Sequence, residues 1–113
     1  MAKQSKIEAF KLNGTKEEIH VVYPELKKMV LITRALEHDL RRKMINLLSD
    51  QNKMTVTEVY LKMKIEQSVA SQHLAILRRA GVVSSVRDGK FIFYNLNKNQ
   101  LEKIASFVSD AAE

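Results

Sequence analysis

The sequence predicts a mainly α-helical domain of about five helices with one two-stranded β-hairpin. Three observations carry that expectation. Apolar residues recur at helical spacing over residues 24–36, 40–48 and 66–80, and again from Leu101 onward. Over residues 82–96 β-formers dominate instead, on both sides of an Asp88-Gly89 turn signal. The helix punctuation fits the same division: Pro24 suits a first turn, Thr55-Val56-Thr57-Glu58 reads as a capping box, and Gly81 reads as a stop.

With 113 residues and 45% hydrophobic side chains, the chain supports one globular core. We divide it into an N-terminal extension, residues 1–23, and a domain over residues 24–113. No apolar run approaches the roughly 20 residues that a membrane span requires. The N-terminal residues lead into no long apolar core, so no signal peptide is expected and the expected compartment is the cytoplasm. There is no cysteine. That excludes disulfides, thiolate metal sites, thiol redox sensing and a Cys nucleophile. The formal net charge is +6. Its surplus lies in residues 41–98, where Lys and Arg far outnumber Asp and Glu. Such a balance points to nucleic acid or another anionic surface.

Taken in order, residues 6–12 read as a short helix stopped by Asn13-Gly14, so the extension is either an arm or an added helix. Residues 19–23 have strand-like composition without an obvious partner. In the helix over 24–36, Leu26, Met29, Val30, Thr33 and Leu36 form one face, while Leu31, Ile32 and Ala35 lie off it. A helix apolar on two sides needs cover on two sides. Asp39 is the expected N-cap of the helix over 40–48. Met44, Leu47 and Leu48 supply its buried stripe, and Arg41, Arg42 and Lys43 its solvated one. After a polar break at 49–53, the capping box opens a short helix through Leu61, residues 62–65 turn, and a longer helix runs over 66–80. The hairpin follows, and then Asn97 or Asn99 caps a last helix. That helix carries Leu101, Ile104, Ala105, Val108 and Ala112 on one face.

A short capped helix, a tight turn, a longer helix and a hairpin with a basic tip make the order of a winged helix-turn-helix. The second helix of such a motif enters the major groove, and its N-terminal side chains meet base edges. Here they are Gln67, Ser68, Ser71 and Gln72, short groups that both donate and accept. Ala70, Leu74 and Leu77 face the core. Arg78 and Arg79 suit phosphates, and Arg87 and Lys90 reach the backbone or minor groove from the hairpin tip. Thr55, at a helix N-terminus that also suits a phosphate, and Lys64, in the turn, complete the expected DNA-binding set.

The stretch from Gln67-Ser68-Val69-Ala70-Ser71-Gln72-His73-Leu74 to Arg78-Arg79-Ala80-Gly81-Val82-Val83 resembles the recognition-helix signature of the ArsR/SmtB repressors. Arg87-Asp88-Gly89-Lys90, closing on Tyr94-Asn95-Leu96, resembles their wing, and Ala35 to Arg41 resembles their first interhelix junction less closely. The resemblance covers residues 25–112. It implies a homodimer built from the first and last helices, double-stranded DNA with an inverted-repeat operator as partner, and repression relieved by an effector. The expected dimer set is Leu26, Met29, Val30, Thr33, Leu101, Ile104, Ala105 and Val108. Family metal sensors often carry thiolates on the short helix, or His with Asp or Glu across the last helix. Thr55-Val56-Thr57-Glu58-Val59 has no thiol, and the last helix has Glu102, Asp110 and Glu113 but no His. No metal and no cofactor is therefore expected, and the effector is a small organic ligand, a partner protein or none. Glu66 stands where relatives commonly have Ser or Thr; its charge suits the helix dipole but would repel a phosphate.

His73 reads as a packed, hydrogen-bonded residue at the core's edge rather than as a DNA contact or ligand. His20, His38 and His73 sit on separate segments without ligand spacing. The competing reading is a winged-helix module that binds protein or RNA, against which the Gln/Ser reading edge and basic wing argue. An enzyme is not expected: the chain shows no nucleophile–base pair, phosphate loop or paired-carboxylate setting.

Overall fold

The computed structural model of the chain describes residues 7–11, 14 and 16–113. The first two strands, β1 (Ile7–Lys11) and β2 (Glu18–Val22), pair antiparallel with Phe10 opposite Ile19. The helix expected over residues 6–12 is therefore a strand across its described part. Lys6, Leu12 and Asn13 lie outside the described residues. The β-branched run Ile19, Val21 and Val22 needed a ladder partner, and β1 supplies it, with Gly14 at φ +76° between them.

Helix α1 (Tyr23–Glu37) follows directly, with Val22 as its N-cap and Pro24 in its first turn. Ile32 and Ala35 are its buried residues, and Met29 and Leu36 pack half-buried on the core. So the core lies on the side that held Ile32 and Ala35, not along the Leu26–Thr33 face. Leu26, Val30 and Leu31 remain exposed.

Helix α2 (Asp39–Gln51) is capped by His38, whose Nδ1 accepts from the Leu40 amide at 3.1 Å. Asp39, the expected cap, instead sits in the first turn, where its carboxylate lies 3.5 Å from Arg42 and Lys43. The helix runs three residues past the predicted end, and Asn52 at φ +74° closes it. Arg41 is buried, not solvated. It stands at i−3 and i−7 from Met44 and Leu48, on the stripe that faces the core.

A short strand, β3 (Lys53–Thr55), occupies part of the expected polar break. It pairs with β5 (Phe91–Leu96), which also pairs with β4 (Val83–Asp88), giving the order β3-β5-β4. The sheet thus has three strands rather than two, and buried Met54 anchors the third. Asp88 still pairs with Phe91, so the loop residues are Gly89 and Lys90, one position later than the turn signal suggested. Gly89 carries φ +64°, as the tight hairpin requires.

Helices α3 (Val56–Met63) and α4 (Gln67–Arg79) form the helix-turn-helix, with Lys64 in the left-handed region at the turn. Gly81, at φ +81°, ends the second of them. Helix α5 (Lys98–Ala112) is capped by Asn97. Met44, Leu48, Val59, Ala70, Leu74, Leu77, Val82 and Ile104 meet in one core between the helices and the sheet. Among the described residues no helix is long and apolar enough to cross a membrane.

Candidate nucleic-acid interface

Helix α3 is set by its cap. The Thr55 hydroxyl accepts from the Glu58 amide at 3.2 Å, and the Glu58 carboxylate accepts from the Thr55 amide at 2.9 Å. Val59 is fully buried against the core, which fixes the helix below α4. The hydroxyl of Thr55 is engaged in this box, including a 3.3 Å contact to Glu58 Oε1, so its first role is structural.

Helix α4 divides cleanly. Ala70, Leu74 and Leu77 have no solvent exposure, as the sequence predicts. Gln67, Ser68, Ser71 and Gln72 are exposed along its first two turns. Ala75, Arg78 and Arg79 continue that exposed strip one to two turns further on. Glu66 is the N-cap and makes no side-chain capping bond, so the amides of the first turn are not closed off by it. Hydrogen-bonding side chains therefore lead the helix and two guanidinium groups end it. This is the arrangement in which base edges are read first and phosphates are held behind.

At the wing, Lys90 occupies the loop and Arg87 the strand before it, opposite Ile92, and both are exposed. Lys64 is exposed at the turn between α3 and α4. The sheet carries more than cations. Val86, Phe91 and Ile92 are exposed, and Lys53 Nζ lies 4.7 Å over the Phe93 ring. The i, i+2 spacing of Phe91 and Phe93 along β5, with Val86 opposite Phe93, puts these three on one face, and Ile92 lies on the other.

The expected dimer residues separate into two groups. Leu26, Val30, Thr33, Ala105 and Val108 are exposed. Ile104 belongs to the protomer's own core, and Met29 and Leu101 lean on it. Thr33 turns its hydroxyl back to the carbonyls of Met29 and Val30, both at 3.0 Å. Three large side chains missing from the expected set, Tyr23, Leu31 and Phe107, are also exposed. Tyr23, Leu26, Val30 and Leu31 line one open groove along α1 together with the stems of Lys27 and Arg34.

The structure also makes a contact that sequence reasoning missed. Arg41 joins His73 of α4: its Nη1 lies 3.1 Å from His73 Nδ1. The His38 ring stands 4.7 Å from the His73 ring. Burial holds the His73 imidazole below its ordinary pKa, and the neighbouring His38 and Arg41 charges add to that shift. His73 is thus packed and hydrogen-bonded, as expected, while the segments bearing His38 and His73 meet in space. Among the described residues no three His, Asp or Glu side chains gather as a metal-holding group.

A buried-face, read-face helix held by a capped partner and flanked by a basic hairpin defines the class: a winged helix-turn-helix DNA-binding regulator. Comparison with known proteins narrows the class to a family. Residues 38–85 match the model described as bacterial regulatory protein, arsR family. The chain is 35% identical over 71 residues to the transcriptional repressor SdpR of Bacillus subtilis, covering 63% of this chain and 78% of SdpR. It is 29% identical over 91 residues to the transcriptional activator HlyU of Vibrio cholerae, covering 80% and 83%. In fold it is similar to a homodimeric winged helix-turn-helix DNA-binding domain from Mycobacterium bovis, with a TM-score of 0.67 and 21% identity over 79% of this chain and 82% of that one. The chain belongs to the ArsR family of bacterial transcriptional regulators.

Proposed function

We propose that the protein is a homodimeric, cytoplasmic repressor without enzymatic activity. It binds an inverted-repeat operator through α4 and the wing. The observation that carries this reading is the exposed strip Gln67, Ser68, Ser71 and Gln72, backed by fully buried Ala70, Leu74 and Leu77. Those four residues read bases. Arg78, Arg79, Arg87, Lys90 and Lys64 hold phosphates, and Thr55 acts through the helix end that it caps.

The dimer reading rests on exposed apolar surface that a lone protomer leaves in water. Tyr23, Leu26, Val30 and Leu31 on α1, and Phe107 and Val108 on α5, are each at least 41% exposed. The Mycobacterium bovis domain of like fold is a homodimer, and residues 24–113 would form the corresponding unit here. Repression needs nothing beyond occupying the operator, and SdpR is named a repressor. The effector is not a thiolate-bound metal, because the chain has no cysteine.

Selection of genomic fragments with the purified protein, followed by titration of the selected duplex, tests the reading. An inverted repeat should emerge and bind with steep salt dependence, each phosphate contact adding roughly −0.9 to the slope of log K against log salt. Equal affinity for random duplex at physiological salt would overturn it.

A further inference from the structure

The C-terminal end of α1 is closed by the two arginines that follow it. The last four carbonyls of a helix lack partners within it. Arg41 donates from Nε to the Ala35 carbonyl at 2.8 Å and from Nη2 to the Arg34 carbonyl at 3.0 Å. Arg42 donates to the Leu36 carbonyl at 2.9 Å. The negative end of the α1 dipole is thus met by two guanidinium groups. Arg42 is exposed, but Arg41 is only 8% exposed, and its remaining edge points at His73 in the second turn of α4.

That edge has one consistent chemistry. A guanidinium only donates, so His73 Nδ1 must be the unprotonated acceptor and Nε2 carries the hydrogen. The fork of one buried side chain therefore ties three elements together: it belongs to α2, holds the end of α1 and grips α4. Helix α1 carries the exposed apolar groove of Leu26, Val30 and Leu31, and α4 carries the exposed reading strip. Both α1 and α2 pack on α4. Hydrophobic packing is tolerant of small rotations, whereas three directed hydrogen bonds from one planar group are not.

We propose that Arg41 and His73 are positioning residues for DNA reading: through them the dimer-facing helix α1 fixes the pitch of the recognition helix α4, and so the separation of the two reading heads. The inference rests on the homodimer and inverted-repeat reading above. Neither side chain touches DNA. Their effect is confined to how well two heads fit two half-sites at once.

The test uses the full chain and three duplexes: the selected operator, the same operator with one or two base pairs inserted between half-sites, and a duplex holding a single half-site. His73→Phe keeps a ring beside His38 and removes the acceptor. It should weaken the operator about tenfold, a typical coupling, shrink the penalty for inserted base pairs, and leave single half-site affinity unchanged. His73→Asn places an amide oxygen near the lost Nδ1 and should restore the spacing preference. Equal losses on operator and half-site, or no loss on either, would overturn the proposal. Nitrogen NMR of the unaltered protein provides a check independent of any variant's folding. It should show His73 Nδ1 as the unprotonated nitrogen, and the opposite tautomer would also overturn the proposal. If the unaltered protein is monomeric or shows no spacing preference, the homodimer reading fails first. If it shows both and the variants behave like it, only this inference fails.

Discussion

Asn97 and Gly81 face each other across the base of the wing, the Asn97 side-chain amide donating to the Gly81 carbonyl at 3.2 Å. The Asn97 backbone amide donates to the Val82 carbonyl at 2.9 Å, and its side-chain oxygen accepts from the Gln100 amide at 3.2 Å. One residue thereby caps α5 and fastens it to the end of α4. Asn97→Ala removes both bonds, and loss of an N-cap costs about 1 kcal/mol. Urea unfolding should show a lower midpoint with an unchanged slope. An unchanged midpoint would mean that water replaces the cap without cost.

The two kinds of contact proposed for α4 and the wing should separate by mutation. Gln72, exposed in the second turn of α4, can pair two-pronged with an adenine. Gln72→Ala should cost about 1–3 kcal/mol on the selected operator and little on random duplex. Lys90, in the wing loop, meets only backbone charge in this assignment. Lys90→Ala should weaken every sequence alike and flatten the salt slope by about one contact. Parallel titrations of both variants on both duplexes decide between these roles, and identical behaviour would refute the assignment.

The helix order, the wing and the exposed polar strip of α4 were legible because their signals are local. Apolar spacing, the Thr55–Glu58 box and Gly81 each act within a turn or two of chain. What escaped is what distance decides. Strand β1 becomes a strand by pairing with β2, and β3 is three residues held by pairing with β5, forty positions on. Neither is long enough to show a period of its own. The burial of Arg41 had a visible signal in its spacing to Met44 and Leu48, but its neighbours Arg42 and Lys43 made the whole triplet look solvated. For α1, two apolar faces were evident, and only packing settled that Ile32 and Ala35 face the core.

Val108 is 48% exposed on α5, one turn past buried Ile104. In the dimer reading it lies in an apolar seam, where an unpaired carboxylate is strongly disfavoured. Val108→Asp should convert the dimer to monomer while the protomer stays folded, since its own core does not include this side chain. Sedimentation velocity reads the mass, and circular dichroism confirms the helices. A dimer of undiminished affinity would move the seam away from α5.

The lowered pKa of His73 gives stability a definite dependence on pH. Burial is its main cause, followed by the His38 and Arg41 charges. The folded state therefore resists protonation that the unfolded chain accepts near its ordinary value of 6.5. As pH falls through that value the unfolded state takes up the proton first, so stability declines. It is fully present above that value, is lost progressively toward the lower folded value, and levels off below both. In His73→Asn the titrating group is gone while an acceptor remains for Arg41. Urea unfolding between about pH 7.5 and pH 5 should show a smaller loss of stability in this variant than in the unaltered protein. Equal losses in the two proteins would mean that the ring titrates alike folded and unfolded, and that burial does not hold it neutral.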